Sequence, residues 1–589
     1  MKLYLAKRKV NLFNILIFII GLAIVMCRII NLDADVPSWG VSQYAPMDEG
    51  QYVQMAINKM EYNSINVEFD YPELENITSA HMRNDIVANV LTYCTFKIFG
   101  DNYYGLRMSS VICALIVYIL FFMCLNNVTC SGNATTQKIE KVIILFLFIF
   151  NYSFSLMERI VEPSIYRQVF LLLVLLLYLL EDKYENNKLF PILIGFFSAF
   201  SVVFVYITNI YLLLAVYILE ICLVFRRKKF VRLLFVMLGS ASTLLIGELY
   251  YMYFWDETIL GNTFDIIHGF SAVPGYVSKE NGLLIGAITN IFEIVSSNIF
   301  LYSLPLLAVL LLLVPSIIKI IREEWRKQSM GMMFSALSLI LFVGQTIINN
   351  DFVLRKSVII YPLLLIILLK CLYELNDGGR MYTLLNFTGN DFVRYLYESV
   401  VLLVVVGVIA YRMYLNTDGS IYDYKVYDKI VLIMQLVFVI LEFIIINNVN
   451  KKSIRDIFAP IIVSTMMVGI MFNMKYIYFS PTYTEKDIMI QMGNEANEQM
   501  LYGAFSYSFT LYNSVKPVSN TFDLMNEKMN NEKTGFYIDY GKIESIPEVI
   551  RSDSNLYFLE LRGLYQRNYT AFGGHNQIGL FKIQDKNVQ

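Results

Sequence analysis

The feature that most constrains this chain is a series of apolar runs that recurs from residue 12 to residue 474, with charged clusters between the runs. A run of about 20 apolar residues is long enough to cross the hydrocarbon core of a bilayer as a helix. Inside that core the backbone must satisfy its own hydrogen bonds, which leaves helices as the solution for segments of this kind. The runs fall at approximately 12–30, 105–125, 140–156, 164–180, 189–207, 209–225, 233–254, 297–319, 331–348, 357–373, 396–413, 429–448 and 457–474. Charged residues make up only 16% of the chain, against about 25% in soluble domains, so a soluble globular protein is excluded. A net charge of −2 argues against a nucleic-acid partner. The seven cysteines are scattered, mostly in or beside apolar runs, with no metal-ligand spacing, and read as small packing residues.

Charge placement sets an expected topology. Lys2, Lys7, Arg8 and Lys9 precede the first run, which ends in Cys27-Arg28-Ile29-Ile30 without a small-residue cleavage site. This predicts an uncleaved first helix with a cytoplasmic N-terminus. Alternation then puts Lys138 and Lys141, Lys183 and Lys188, Arg226 to Arg232, Lys319 to Lys327, Arg380 and Arg394, and Lys451 to Arg455 inside. Every predicted inside loop is basic, as the positive-inside rule requires. The expectation is a multi-pass cell-membrane protein of about thirteen transmembrane helices.

Three large stretches are then expected outside the cytoplasm: 31–104, 255–296 and a soluble tail, 475–589. The first is acidic (Asp33, Asp35, Glu61, Glu68, Asp70, Glu73, Glu75) and holds half-apolar segments at 49–60 and 85–99. Both are too short to span and are predicted to lie at the interface as amphipathic helices. In the tail, a helix is predicted over 488–501, followed by strands near 504–512, 535–540, 556–561 and 579–583. Two domains result: a transmembrane domain, 1–474, and a small α/β domain, 475–589. There is no internal repeat of the kind that marks many secondary transporters.

The polar residues that need a reason are those on the predicted outer face. Asp48 and Glu49 form an acidic pair just beyond the first run; Asp48 is also placed to cap an interfacial helix. Arg83, Arg107, Arg355 and Lys356 are cations on the face where the alternation rule does not expect them. Arg159 and Glu162 stand at i, i+3 near the outer end of the third run, the spacing of an ion pair on a helix. The histidines His81, His268 and His575 are all predicted outside, and nothing in their spacing marks a metal site; a divalent cation is the one cofactor to consider, and none is expected. Glu248, Glu293 and Glu442 lie in or beside apolar runs, where acids call for a functional hypothesis.

The order of these features resembles the GT-C superfamily of membrane glycosyltransferases, in particular the protein O-mannosyltransferase and lipid A aminoarabinose transferase branch. The family's Asp-Glu-x-x-Tyr motif in the first external loop reads here Asp48-Glu49-Gly50-Gln51-Tyr52. A segment with a basic start that ends in Phe-Gly and runs on to an Arg opening the second helix reads His81-Met82-Arg83-Asn84-Asp85, then Phe99-Gly100 and Arg107. Arg159-Ile160-Val161-Glu162 matches a polar cluster with an acid, and Arg355-Lys356 before Tyr361-Pro362 matches an Arg-containing outer loop before a Pro-bearing helix. Two positions depart from the pattern: Asn84-Asp85 stands where the family often has a Pro pair, and Gln51 where the aminoarabinose enzymes carry a basic residue.

The resemblance implies a GT-C fold and a polyprenyl-phosphate sugar as donor. The acceptor is then a hydroxyl of a glycan, lipid or protein outside the cytoplasm, and transfer inverts the anomeric centre. Asp48 becomes the general base, a task suited to a carboxylate, with Glu49 beside it setting local geometry. Tyr52, His81, Arg83, Arg107, Arg159, Glu162, Arg355 and Lys356 become substrate-binding residues; of these Arg83, Arg107, Arg355 and Lys356 are the ones for the phosphate, because a fixed cation opposes the charge that grows on it as it departs. Two rival readings keep the membrane but change the chemistry. One is a polymerase or ligase of lipid-linked oligosaccharides; the other is a transporter that makes no bond.

Overall fold

The computed structural model describes residues 12–35, 49–50, 52–63, 65, 85–128, 134–184, 187–227, 230–264, 329–349, 358–376, 478–479, 481–496, 499–503, 506–518, 534–540, 557–566 and 577–585. The runs at 297–319, 396–413, 429–448 and 457–474 lie outside them. So do Asp48, Gln51, His81, Arg83, His268, Glu293, Arg355, Lys356, Glu442 and His575.

The described helices follow the apolar runs. They are α1 (Leu12–Met26), α2 (Gln54–Glu61), α3 (Ile86–Phe99), α4 (Tyr103–Asn127), α5 (Ala134–Ile149), α6 (Tyr152–Met157), α7 (Pro163–Lys183), α8 (Leu189–Phe200), α9 (Ile210–Arg227), α10 (Phe230–Trp255), α11 (Met330–Asn349), α12 (Tyr361–Asn376) and α13 (Thr484–Ala496). Among the described residues, five segments are long and apolar enough to cross a membrane: Leu12–Ile29, Tyr103–Asn127, Pro163–Lys183, Ile207–Phe225 and Phe230–Trp255. The two half-apolar segments of the first loop form α2 and α3, of 8 and 14 residues, both too short to span. The run at 140–156 is not one helix. It breaks at Asn151, whose side-chain oxygen accepts a hydrogen bond from the Phe154 amide at 2.9 Å, a local cap that competes with helix continuation.

Central to the bundle is α7, which packs against α4, α8 and α11. Its apolar residues are buried on nearly every side, among them Leu171, Leu172, Val174, Leu175 and Tyr178. By contrast α1 and α10 turn Leu12, Leu16, Ile19, Leu245, Leu249 and Met252 outward, an apolar exterior of the kind that marks a membrane surface. Small residues let α8 and α10 cross closely. A Cβ on Gly195 would fall 2.0 Å from the Val236 carbonyl oxygen, and one on Gly239 2.0 Å from that of Ile192. One buried ion cluster ties α7, α9 and α10 together: Arg232 donates twice to Glu220 at 2.7 Å and pairs with Glu181, while the Tyr178 hydroxyl donates to Glu220 at 3.0 Å.

The tail carries α13 and a five-stranded sheet of order β2-β1-β3-β5-β4, with β1 (Met500–Tyr502), β2 (Lys516–Pro517), β3 (Phe536–Tyr540), β4 (Tyr557–Gln566) and β5 (Gln577–Asp585). β1 runs parallel to β2 and β3, and the β3–β5 and β5–β4 pairs are antiparallel. Two expectations fail here. Residues 506–512, the described part of 504–512, hold no strand: Ser506–Thr510 is a 3-10 turn, buried throughout, with Ser506 Oγ donating to the Val518 carbonyl at 2.9 Å and Thr510 Oγ1 to the Tyr507 carbonyl at 3.0 Å. The tail helix begins at Thr484, earlier than its apolar pattern suggests, because Asp35 of the distant first loop accepts the amides of Thr484 (2.8 Å) and Glu485 (3.0 Å) and so caps it.

Candidate active site

One end of the bundle gathers the acidic loop, the starts of α3, α4 and α7, and the tail. Glu49 sits at its centre and is fully buried. Arg107, one turn into α4, holds it in a fork: Nε donates to both carboxylate oxygens at 3.1 Å and Nη2 to Oε2 at 3.0 Å. The Val161 amide adds a third anchor, donating to Oε1 at 3.0 Å. The remaining Arg107 nitrogen, Nη1, donates to the carbonyls of Leu32 (3.0 Å) and Ala34 (2.6 Å), and the Tyr103 ring lies 4.1 Å from the guanidinium carbon. Burial pushes the Glu49 carboxyl up to about 7, against the opposing pull of Arg107.

The fork joins three parts of the sequence: the first loop, the start of α4 and the segment before α7. The tail adds a fourth. Ser508 Oγ accepts the Gly50 amide at 3.0 Å, and the Tyr512 hydroxyl accepts the Tyr103 amide at 3.2 Å. Tyr512 itself has φ of 62°, a left-handed backbone that costs a tyrosine about 1–3 kcal/mol. The tail therefore clamps the residue after Glu49 and the residue four before Arg107.

Arg107, expected as a phosphate ligand, is here turned to Glu49 and to the carbonyls of Leu32 and Ala34. All its nitrogens are engaged, and it is 0% exposed. The expected ion pair between Arg159 and Glu162 does not form among the described residues. Arg159 Nη1 donates to the carbonyls of Arg28 (3.0 Å) and Ile30 (2.6 Å) and its Nη2 to that of Asn31, which ties it to the exit of α1. Burial and the neighbouring Arg107 lower its pKa to about 9, so it stays cationic at neutral pH. Glu162 instead caps α7, accepting the Ser164 amide at 2.7 Å, with Pro163 in the first turn. Both residues lie in the connection before α7, where i, i+3 spacing does not bring side chains together. Tyr52 is half-buried at the start of α2, and its carbonyl accepts from Asn89 Nδ2 at 3.1 Å. Glu248 accepts the Ile259 amide at 3.0 Å, a local contact.

Sequence reasoning did not single out four charged groups at this end. Arg28 donates to Glu158 at 2.8 Å, both buried, and locks the exit of α1 to the end of α6. Arg167 donates to Asn209 at 2.7 Å, with its guanidinium 5.3 Å from the Tyr206 ring. Asp85, directly before α3, is 1% exposed. Burial pushes its carboxyl well above the usual range, Glu162 adds to the push, and Arg167 opposes it. The only signal for Asp85 was that an acid stands where the family pattern has proline. Among the described residues no group of three or more His, Cys, Asp or Glu side chains could hold a metal ion.

Comparison with known proteins places the fold. No protein-family model matches the chain, and no curated protein matches its sequence. Solved structures do match. ArnT from Cupriavidus metallidurans bound to undecaprenyl phosphate superposes with a TM-score of 0.53 at 10% identity, over 97% of this chain and 98% of that one. Its apo state gives 0.52 at 10% identity, over 96% and 97%. The chain therefore shares, over nearly its whole length, the fold of ArnT.

Proposed function

We propose that this chain is an integral-membrane glycosyltransferase of the GT-C type, moving a sugar from a polyprenyl-phosphate carrier to an acceptor hydroxyl outside the cytoplasm. The observation that carries this reading is the buried fork of Arg107 and the Val161 amide on Glu49. It fixes Glu49, the residue next to Asp48 in the sequence, at one end of a bundle whose fold is shared with a protein solved with undecaprenyl phosphate. A site that must hold an acceptor, a base and a leaving group in line needs such a rigid frame.

In the reaction, the acceptor oxygen attacks the anomeric carbon while the bond from that carbon to the carrier phosphate breaks. The phosphate leaves with the electron pair, and Asp48 takes the acceptor's proton. One displacement inverts the anomeric centre. Glu49 and Arg107 position Asp48. Arg83, Arg355 and Lys356, with His81, oppose the charge that grows on the phosphate, and Tyr52 and Glu162 complete the substrate site. Arg159 holds the exit of α1 in register with the α7 connection. The bundle has about thirteen spans over 1–474 with a cytoplasmic N-terminus, and the tail, 475–589, lies outside with the acceptor. No nucleic acid or resident cofactor takes part.

The test is an Asp48→Ala chain reconstituted in lipid and supplied with undecaprenyl-phosphate sugars. Loss of a positioned base lowers transfer by about 10²–10⁴-fold. Full activity in a correctly inserted Asp48→Ala protein defeats the proposal. Consumption of pyrophosphate-linked oligosaccharides alone would move the reading to a polymerase or ligase. Movement of labelled lipid without bond change would move it to a transporter.

A further inference from the structure

Asp85 occupies the N-cap position of α3 yet caps nothing. Its backbone (φ −83°, ψ 38°) lies outside the extended region of a capping residue, and its side chain accepts no helix amide. The caps of the neighbouring helices behave otherwise: Asn102 accepts the Gly105 amide at 3.0 Å and Glu162 the Ser164 amide at 2.7 Å. Both Asp85 carboxyl oxygens are buried without a hydrogen-bond partner among the described residues. A buried acid in that state costs stability, and an Asn or Ser in its place would cost less. Among the described residues, Glu162 and Arg167 are the charges that act on it. Arg167 is already engaged by Asn209, and Glu162 follows Val161, whose amide holds Glu49.

A second unpartnered polar group stands close by in the fold. Asn89 Nδ2 donates to the Asp85 carbonyl at 2.8 Å and to the Tyr52 carbonyl at 3.1 Å, and Asn89 Oδ1 accepts the Ala56 amide at 3.0 Å. This staple fixes the start of α2 against the start of α3. On that start of α2, Gln54 is 1% exposed with neither side-chain oxygen nor nitrogen bonded. The acid and the amide together offer acceptors and donors that the protein itself leaves unused. A sugar's hydroxyls both donate and accept, and are the matching chemistry.

We infer that Asp85 is a sugar-binding residue, hydrogen-bonding to hydroxyls of the transferred sugar and setting which sugar is taken, with Gln54 as its partner on α2. This rests on the glycosyl-transfer reading above and adds to it a residue at which the chain departs from the family pattern. Asp85 does not act on the departing phosphate, so it discriminates among sugars rather than among carriers.

The experiment uses the full chain in nanodiscs. Probes are undecaprenyl phosphate and synthetic undecaprenyl-phosphate glucose, galactose and mannose, with monodeoxy forms of whichever is transferred best. Asp85→Ala is expected to weaken kcat/KM for that donor about ten- to hundredfold, the loss of one or two hydrogen bonds to an ionisable group. Binding of undecaprenyl phosphate itself stays within about twofold. One deoxy donor is poor for the wild type and carries no further penalty in Asp85→Ala, the non-additivity of groups in contact. Asp85→Asn keeps or raises the unfolding midpoint, because it removes an unpaired buried acid. An identical deoxy profile in wild type and Asp85→Ala overturns the inference, as does a drop in midpoint for Asp85→Asn with an unchanged donor profile. If the wild type transfers none of the sugars and binds no undecaprenyl phosphate, the glycosyl-transfer reading falls and this inference with it. An active wild type with an unaltered Asp85→Ala profile removes this inference alone.

Discussion

Replacing Arg107 with methionine tests whether the fork on Glu49 frames the site. The substitution keeps bulk beside Tyr103 but removes three contacts to the Glu49 carboxylate and two to the carbonyls of Leu32 and Ala34. What remains is a fully buried acid held by one amide, that of Val161. Breaking one side of a buried pair typically costs about 3–5 kcal/mol, and here the carbonyl contacts place the loss toward the upper part of that range. Arg107→Lys recovers less than half, because an ammonium cannot span both oxygens and the two carbonyls as a guanidinium does. The double variant Glu49→Gln/Arg107→Met costs less than Arg107→Met alone, since no orphaned acid is left. The penalty also depends on pH. Glu49 titrates at about 7 in the fold, raised from its ordinary value by burial. A raised acid pKa means that stability from this group is fully present at low pH and is lost as pH rises through about 7. Without Arg107 the carboxyl binds its proton more tightly still, so the cost of Arg107→Met is largest at pH 8 and shrinks by pH 5.5. Denaturant titration in mixed micelles at both pH values reads this directly. A loss below about 1 kcal/mol at pH 8, or additivity of the two single changes, refutes the reasoning.

Two further perturbations probe the same end of the bundle. A Cβ on Gly50 would lie 2.4 Å from the Ser508 amide nitrogen and 2.6 Å from the Tyr507 carbonyl carbon, so Gly50→Ala displaces the helical turn carrying Glu49. Glycosyl transfer should fall at least tenfold with the protein still inserted, and wild-type transfer would show that the tail does not hold this turn. Glu61, at the end of α2, is pushed up to about 7 by burial and then by its hydrogen bond to Asp101 and that group's charge. By the same sign argument the carboxyl pair stabilises the fold at acid pH and loses that contribution as pH rises through about 7. Asp101→Asn should therefore raise the unfolding midpoint at pH 8 relative to wild type and give no gain at pH 5, and equal shifts at both pH values would exclude a shared proton.

Much of the architecture was legible because the membrane imposes it. Long apolar runs became helices because no other described element can satisfy backbone groups in lipid, and α2 and α3 proved too short to span, as their length required. The motif order in the first loop also carried the fold, which the superposition on ArnT shares over nearly the whole chain. The sequence marked Glu49 as a residue that sets local geometry without saying through which partner. It read Arg107 as a phosphate ligand from its position and Arg159–Glu162 as a pair from spacing. Those assignments depend on how separate segments meet, and spacing is informative only within one regular element. Only the tertiary structure decides that Arg107 closes on Glu49, that Arg159 turns to the carbonyls after α1, and that Glu162 caps α7. It alone brings residues 506–512 of the tail against Gly50 and Tyr103, and Asp35 onto the start of α13. It alone leaves the Asp85 carboxyl buried without a hydrogen-bond partner among the described residues. Helix-forming periodicity is written in neighbouring residues. The pairing of buried charges is set by which loops the packed bundle brings to one end, and that is a property of the whole fold.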